Sequence, residues 1–250
     1  MKRLLHPLWR GFRREIWARW LRGNGRNCPI CGGSFRRFIR AGVARRPDAQ
    51  CPRCGSLERH RAFACYLKET DWESRTMTVL HFAPEACLEA GFRANPNWTY
   101  QTADLYAPAD WRLDLTQLKR ADASYDVLIA HHVLPEIEDD VQALQEIFRV
   151  LRPGGVCLTM NPLDPNRQET LHAHDLAPEA RIQRWGGYAH LYRHGYGLDF
   201  LALLTKIGFN VTVWKPEDAV SPDAFRSMRL HGWVVCAQKP EDGTNPHRIR

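Results

Sequence analysis

The apolar positions of this chain fall into two patterns separated by a poor stretch. Over residues 4 to 21, Leu5, Leu8, Trp9, Phe12, Ile16, Trp17 and Trp20 recur at steps of three and four. Arg10, Arg13, Arg14 and Arg19 lie between them, so the spacing predicts a basic amphipathic helix. Residues 24 to 55 then contain too few large apolar side chains to make a core unaided. From Thr76 onward, short buried-type runs alternate with helical spacing. Residues 76–82, 98–104, 112–115, 125–130, 156–160, 211–214 and 231–238 read as strands. Pro84 and Glu85 suit the first turn of a helix. Ile137 to Leu151 carries Val141, Leu144, Ile147 and Phe148 at helical spacing and stops at Arg152-Pro153-Gly154-Gly155, and a later helix spans about Leu198 to Ile207. Strands alternating with helices predict an α/β fold, a doubly wound and mainly parallel sheet.

The expected organisation is a basic amphipathic helix at 1–23, a small module at 24–70, the α/β domain at 71–240 and a frayed polar tail at 241–250. Within the domain, residues 161–197 form a long connection rich in His, Tyr, Trp and Gly, including His172, His174, Trp185, Gly186, Gly187, Tyr188, His190, Tyr192, His194 and Tyr196. Such a connection reads as a lid over a substrate. No run of about 18 apolar residues occurs, which leaves no candidate membrane span. Charges return at Arg10, Arg13 and Arg14 after the opening apolar residues, which argues against a signal peptide.

Composition changes the picture in two places. Four of the eight cysteines form Cys28-Pro29-Ile30-Cys31 and Cys51-Pro52-Arg53-Cys54, while Cys65, Cys87, Cys157 and Cys236 are scattered through apolar segments. The scattered ones read as small hydrophobes, so no disulfide framework is implied and a reduced cytoplasm is expected, with peripheral association at a membrane as the alternative. Two CxxC pairs at this spacing can close a tetrahedral shell of four thiolates around structural zinc; the competing readings are redox chemistry and coincidence. Charge is the second signal. Residues 1–61 hold sixteen Lys and Arg against Glu15, Asp48 and Glu58, a net of +13, within a chain whose net charge is +7. Such a front face attracts RNA or an anionic membrane surface, unless it is simply a solvated surface. Trp on a basic amphipathic helix suits a membrane interface, yet an apolar stripe more often packs on its own domain, and that docking is the expectation.

Ser124 to Ile129, His132-Val133-Leu134, Glu138-Asp139-Asp140 and the block Leu144 to Gly155 resemble the class I S-adenosylmethionine-dependent methyltransferases of the type 11 group. The resemblance covers roughly residues 76 to 240 and implies a Rossmann-like sheet with S-adenosylmethionine as cofactor. It places the ribose-binding acid at Asp104, the adenine-edge acid at Asp114 with Leu115 beside the ring, and the methionine-binding turn at His81 to Cys87, including Ala83. That turn contains no glycine, and Glu85 is read there either as the partner of the cofactor's ammonium or as a helix first-turn acid. His132 is the candidate base, with His131 as alternative, against a merely packed role for either. The architecture is similar to ribosomal RNA guanine methyltransferases with a zinc-binding front domain. The implied activity is methyl transfer to RNA, a glycan or a small metabolite. The alternative is a zinc-ribbon binding protein whose Rossmann-like half no longer catalyses.

Overall fold

A computed structural model describes residues 14–42, 44–185 and 189–242. The expectations for Leu5, Leu8, Trp9, Arg10, Phe12 and Arg13, for Gly186, Gly187 and Tyr188, and for the tail beyond Asp242 lie outside the described residues. The chain divides into two compact units. One comprises the described residues up to Thr70 together with Lys215–His231; the other comprises Asp71–Trp214 and the residues from Gly232. The α/β unit begins at Asp71, and residues 215–231, expected within the 71–240 domain, group with the front unit.

The front unit contains helix α1 over 14–20 and strands β1 (Arg22–Asn27), β2 (Ser34–Phe35), β3 (Ile39–Ala41) and β4 (Arg46–Gln50), with α2 (Glu58–Glu69) completing its first segment. β1 pairs with β2 and β3 with β4, both antiparallel. The buried cluster around its cysteines is Ala18, Leu21, Cys28, Phe35, Phe38 and Cys51, so two of the six side chains in that cluster are themselves thiols. Docking of α1 runs through Ala18 and Leu21, 2% and 3% exposed. Ile16, Trp17 and Trp20 face solvent at 52%, 41% and 60%. The stripe expected to pack on the domain is therefore the outward one.

The second unit holds β5 (Met77–Phe82), α3 (Ala86–Ala94), β6 (Trp98–Asp104), β7 (Trp111–Arg112), β8 (Tyr125–Ala130), α4 (Asp140–Val150) and β9 (Leu151–Thr159). The connection that follows contains β10 (Leu171–His172), α5 (Pro178–Trp185) and β11 (His194–Gly195), and α6 (Asp199–Ile207) and β12 (Asn210–Trp214) lead out of it. After α7 (Pro216–Ala219) and α8 (Pro222–Met228) of the front unit, β13 (Val234–Gln238) closes the sheet. The seven strands lie in the order β12-β13-β9-β8-β5-β6-β7. β5 to β9 run parallel, and β13 is antiparallel to both neighbours. The parallel strands β5 and β8 are almost wholly buried, as strands covered on both faces must be. The turn expected at Arg152 to Gly155 is instead a bulge inside β9, where the register jumps from Tyr125↔Leu151 to Val127↔Val156. Gly154 there has φ +75° and sends its N–H to the Lys239 carbonyl. The expected strand at 112–115 shrinks to β7, because Asp114 turns the chain by accepting the Thr116 N–H at 2.9 Å.

Candidate functional site

In the front unit, each CxxC pair ends in a glycine with left-handed backbone, Gly32 at φ +65° and Gly55 at φ +78°. Both make tight turns, with Gly32 N–H donating to Cys28 O and Gly55 N–H to Cys51 O. A residue with a Cβ would be strained at either position, so the Gly after each pair fixes where the second thiol points. The four sulfurs converge. Cys28 and Cys54 Sγ are 3.6 Å apart, Cys31 and Cys51 Sγ 3.7 Å, and all four lie within 4.8 Å of one another. A tetrahedral zinc with bonds of about 2.3 Å separates its sulfurs by about 3.8 Å, so the donor set fits that ion.

Behind the second pair lies Arg61, which sequence reading did not single out. It is completely buried and uses all of its donors on carbonyls: Nη1 to Ala49 and Ser56, Nη2 to Ala49 and Arg229, and Nε to Met228. Ala49 and Ser56 bracket the Cys51–Cys54 turn, and the guanidinium lies 4.3 Å from the Phe38 ring centroid. Burial pulls its pKa below the ordinary value, and negative charge at Cys28, Glu58, Cys51 and Cys54 opposes that pull. Four thiolates on a divalent ion leave two negative charges, which gives a buried cation its electrostatic partner.

In the second unit, Phe82 pairs with Ala103 on one side and with Ala130 on the other. Ala83, Asp104 and His131 therefore leave the sheet together at its carboxyl edge, where ligands bind in open α/β sheets. The glycine-free turn nevertheless takes a glycine's conformation. Ala83 has φ +47°, with its N–H donated to Ala103 O at 2.9 Å, and His132 at the next strand end has φ +57°. Left-handed backbone costs a non-glycine residue about 1–2 kcal/mol, and such strain gathers at functional sites.

Glu85 sits at the N-cap of α3 and meets two buried histidines, His81 Nε2 at 3.0 Å and His131 Nδ1 at 3.4 Å. Burial alone would raise the Glu85 carboxyl, but charge and hydrogen bonding from His131 and then His81 hold it well below its ordinary value. His81 is pushed the other way, below its ordinary value, chiefly by burial. A neutral His81 that donates from Nε2 to Glu85 must accept at Nδ1, and the Tyr100 hydroxyl stands 2.8 Å away to donate. Tyr100 is a member of this network that sequence reading missed. The geometry separates the two candidate bases. His131 turns inward to Glu85, whereas His132 is half-buried and donates its N–H to Met160 O.

Asp104 spends Oδ1 on the Tyr106 and Ala107 N–H groups, at 2.7 and 2.6 Å, and among the described residues its Oδ2 has no hydrogen-bond partner. Glu136, just beyond β8, is raised by burial and further by Asp104, with His190 opposing. This is a second carboxylate at the same edge that sequence reading missed. Asp114 is exposed on the turn after β7, and Leu115 beside it is core, 3% exposed, rather than facing open space. The long connection is folded rather than structureless. β10 pairs with β11, the Nδ1 atoms of His172 and His194 are 2.9 Å apart, and His194 Nε2 donates to Ile137 O. The Arg193 N–H to Pro135 O and Tyr196 hydroxyl to Asp140 bonds complete its attachment beside the β8 exit.

Comparison with known proteins agrees with this geometry. Residues 64–159 match the family model of a methyltransferase domain. A Mycolicibacterium smegmatis protein described as a probable S-adenosylmethionine-dependent methyltransferase is 45% identical over 49 residues, which is 20% of this chain and 19% of that one. The match thus spans about a fifth of that relative's length. Among solved structures, one from Galdieria sulphuraria assigned as a sarcosine dimethylglycine methyltransferase superposes with a TM-score of 0.50 at 15% identity, covering 72% of this chain and 84% of that one. A Burkholderia thailandensis 1,6-didemethyltoxoflavin-N1-methyltransferase, solved with its substrate and S-adenosylhomocysteine, gives 0.49 at 15% identity, over 72% of this chain and 76% of that one. Residues 64–159 are thus similar to a methyltransferase domain, the sheet is Rossmann-like α/β, and a four-cysteine cluster stands in the front unit.

Proposed function

We propose that the α/β unit binds S-adenosylmethionine at the carboxyl ends of β5 and β6 and transfers its methyl group to an acceptor. The observation that carries this reading is the joint exit of Ala83, Asp104 and His131 from paired strands, within the segment that matches the methyltransferase model. Asp104 offers Oδ2 to the ribose hydroxyls. Glu85, already held as an anion, takes the cofactor's ammonium, and Ala83 lets backbone approach the methionine portion. Asp114 is the acid nearest the adenine edge; Leu115 supports that turn from the core. The cofactor supplies an electrophilic methyl on a sulfonium, so the chain's own residues have only to align the acceptor, exclude water and take a proton. His132 is the residue proposed to take it, since His131 is committed to Glu85. The folded 161–197 connection covers the acceptor side.

The acceptor is read as RNA, a glycan or a small metabolite, and Cys28, Cys31, Cys51 and Cys54 as the holders of a structural zinc. The alternative reading, a zinc-bearing binding protein without catalysis, is favoured by one feature: the turn that should cradle the cofactor carries a His81–Glu85–His131 network in place of glycines. Calorimetry with S-adenosylmethionine and S-adenosylhomocysteine separates the two readings. Saturable binding of both, lost in Asp104→Ala, supports methyl transfer; no binding to folded, zinc-loaded protein leaves only the alternative.

A further inference from the structure

The outward face of α1 has no role in either reading. Ile16, Trp17 and Trp20 stand 52%, 41% and 60% exposed, while Ala18 on the other side of the helix is buried in the front core. Three large apolar side chains on one side of a short helix form a patch of the kind that marks an interaction site. The two indoles touch edge to face, 5.5 Å between ring centroids, and the Arg36 guanidinium lies 5.8 Å from the Trp20 ring while donating to the Trp20 carbonyl. Arg14, Arg19, Arg22 and Arg36 are all exposed, and Arg36 lies beside the patch. In sequence, the stripe continues upstream at the same spacing through Leu5, Leu8, Trp9 and Phe12, with Arg10 and Arg13 between.

From this arrangement we infer that the front of the chain docks on an anionic lipid surface, with Ile16, Trp17 and Trp20 entering the headgroup boundary and the surrounding arginines meeting lipid phosphates. Two observations favour lipid over RNA as the occupant, and the charge suits the lipid too. An aliphatic side chain, Ile16, shares the face with the indoles, and it gains from leaving water for acyl chains but nothing from base stacking. The indoles pack against each other at an interplanar angle of 76° and so do not offer two parallel platforms to successive bases. The net +13 of residues 1–61 complements an anionic surface, and among the described residues no helix is long and apolar enough to cross a membrane, so the contact is peripheral. The inference does not depend on methyl transfer, since it involves none of the cofactor-binding residues.

The test uses full-length, zinc-loaded protein and vesicles of equimolar phosphatidylglycerol and phosphatidylcholine, with pure phosphatidylcholine vesicles and a structured RNA in parallel. The expected result is binding to the anionic vesicles that weakens with salt, is at least about tenfold weaker on neutral vesicles, and falls at least about tenfold in Trp17→Ser/Trp20→Ser at unchanged zinc content and melting temperature. Should the double variant lose zinc or fold, quenching of the wild-type tryptophans by lipid carrying a spin label near the headgroup decides instead, and quenching is expected. Vesicle binding that ignores the Trp substitutions, the absence of quenching, or binding to RNA with none to vesicles would overturn the inference. Cofactor affinity, measured in the same preparations, stays unchanged in the variant, so failure here is distinct from failure of the methyltransferase reading.

Discussion

The cluster around the cysteines of the front unit has six buried side chains, two of them Cys28 and Cys51, whereas the α/β unit gathers Leu80, Phe82, Leu128, Leu144, Ile147, Phe200, Leu204 and more than a dozen others into one cluster. The first is built around four thiols that could hold a metal; the second is sustained by apolar area removed from water at about 25 cal/mol per Å². The difference extends to charge. The front unit buries an arginine next to thiolates, and the α/β unit buries a carboxylate between histidines. In each case a small ionic cluster sits at the candidate site, but only in the front unit do its members also belong to the buried apolar cluster.

The sharpest way to break this comparison is to remove the metal. Cys31→Ser, or a strong chelator, should unfold the front unit, because zinc is expected to contribute on the order of 10 kcal/mol there, while the α/β unit keeps its own melting transition. Hydrogen exchange resolved by segment reads both at once, and protection of residues 22–50 that survives chelation would refute it. Next in size is Arg61→Met. Four carbonyls lose their donor and the thiolate cluster its countercharge, which should cost about 3–5 kcal/mol and speed zinc release to a chromogenic chelator, with Arg61→Lys intermediate.

In the α/β unit the expected effects are smaller and act on ligand binding. Asp104→Ala should weaken S-adenosylmethionine by about 1.5–3 kcal/mol in calorimetry without unfolding the protein. Glu85→Gln should lower affinity for the cofactor and for S-adenosylhomocysteine alike, since both carry the ammonium. Its stability effect has a defined pH course. The Glu85 carboxyl is held below its unfolded value of about 4.3, so its contribution is fully present above that pH and disappears as pH falls through the lowered folded value. The stability gap between wild type and Glu85→Gln should therefore be constant from neutral pH to about 5 and close in stronger acid; a gap that widened on acidification would place the proton elsewhere. The smallest effect is that of Ala83→Gly, which relieves the left-handed strain but frees the unfolded chain, for a net change within about 1 kcal/mol by thermal melting.

Much of this molecule could be read from its residues, for reasons that differ between the units. The buried runs of β5 and β8 and the spacing of the cysteine pairs are local signals, and both correspond to what the structure places there. The Pro153-Gly154 bulge misled because a bulge and a turn use the same residue types. The position of Leu115 misled because a residue beside a site can still point at the core. The conformation of Ala83 was invisible, since nothing about an alanine announces φ +47°. The assignment of residues 215–231 failed for a deeper reason. What ties them to the front unit includes a guanidinium bonded to the carbonyls of Met228 and Arg229, 167 and 168 residues along the chain from Arg61, and a main-chain carbonyl has no sequence identity to detect.

That long reach bears on how the chain is made. All four cysteines leave the ribosome early, yet two of the carbonyls that satisfy Arg61 are translated only after the strands from β5 to β12. The two units thus interleave along the chain, since β13 of the α/β unit follows α8 of the front unit. A nascent chain can gather its thiols while the guanidinium behind them still has donors to fill, and the front unit is completed only when α8 has been synthesised. Truncation after residue 70 would reproduce that immature state permanently, whereas joining residues 215–231 to it through a short linker should supply the missing acceptors.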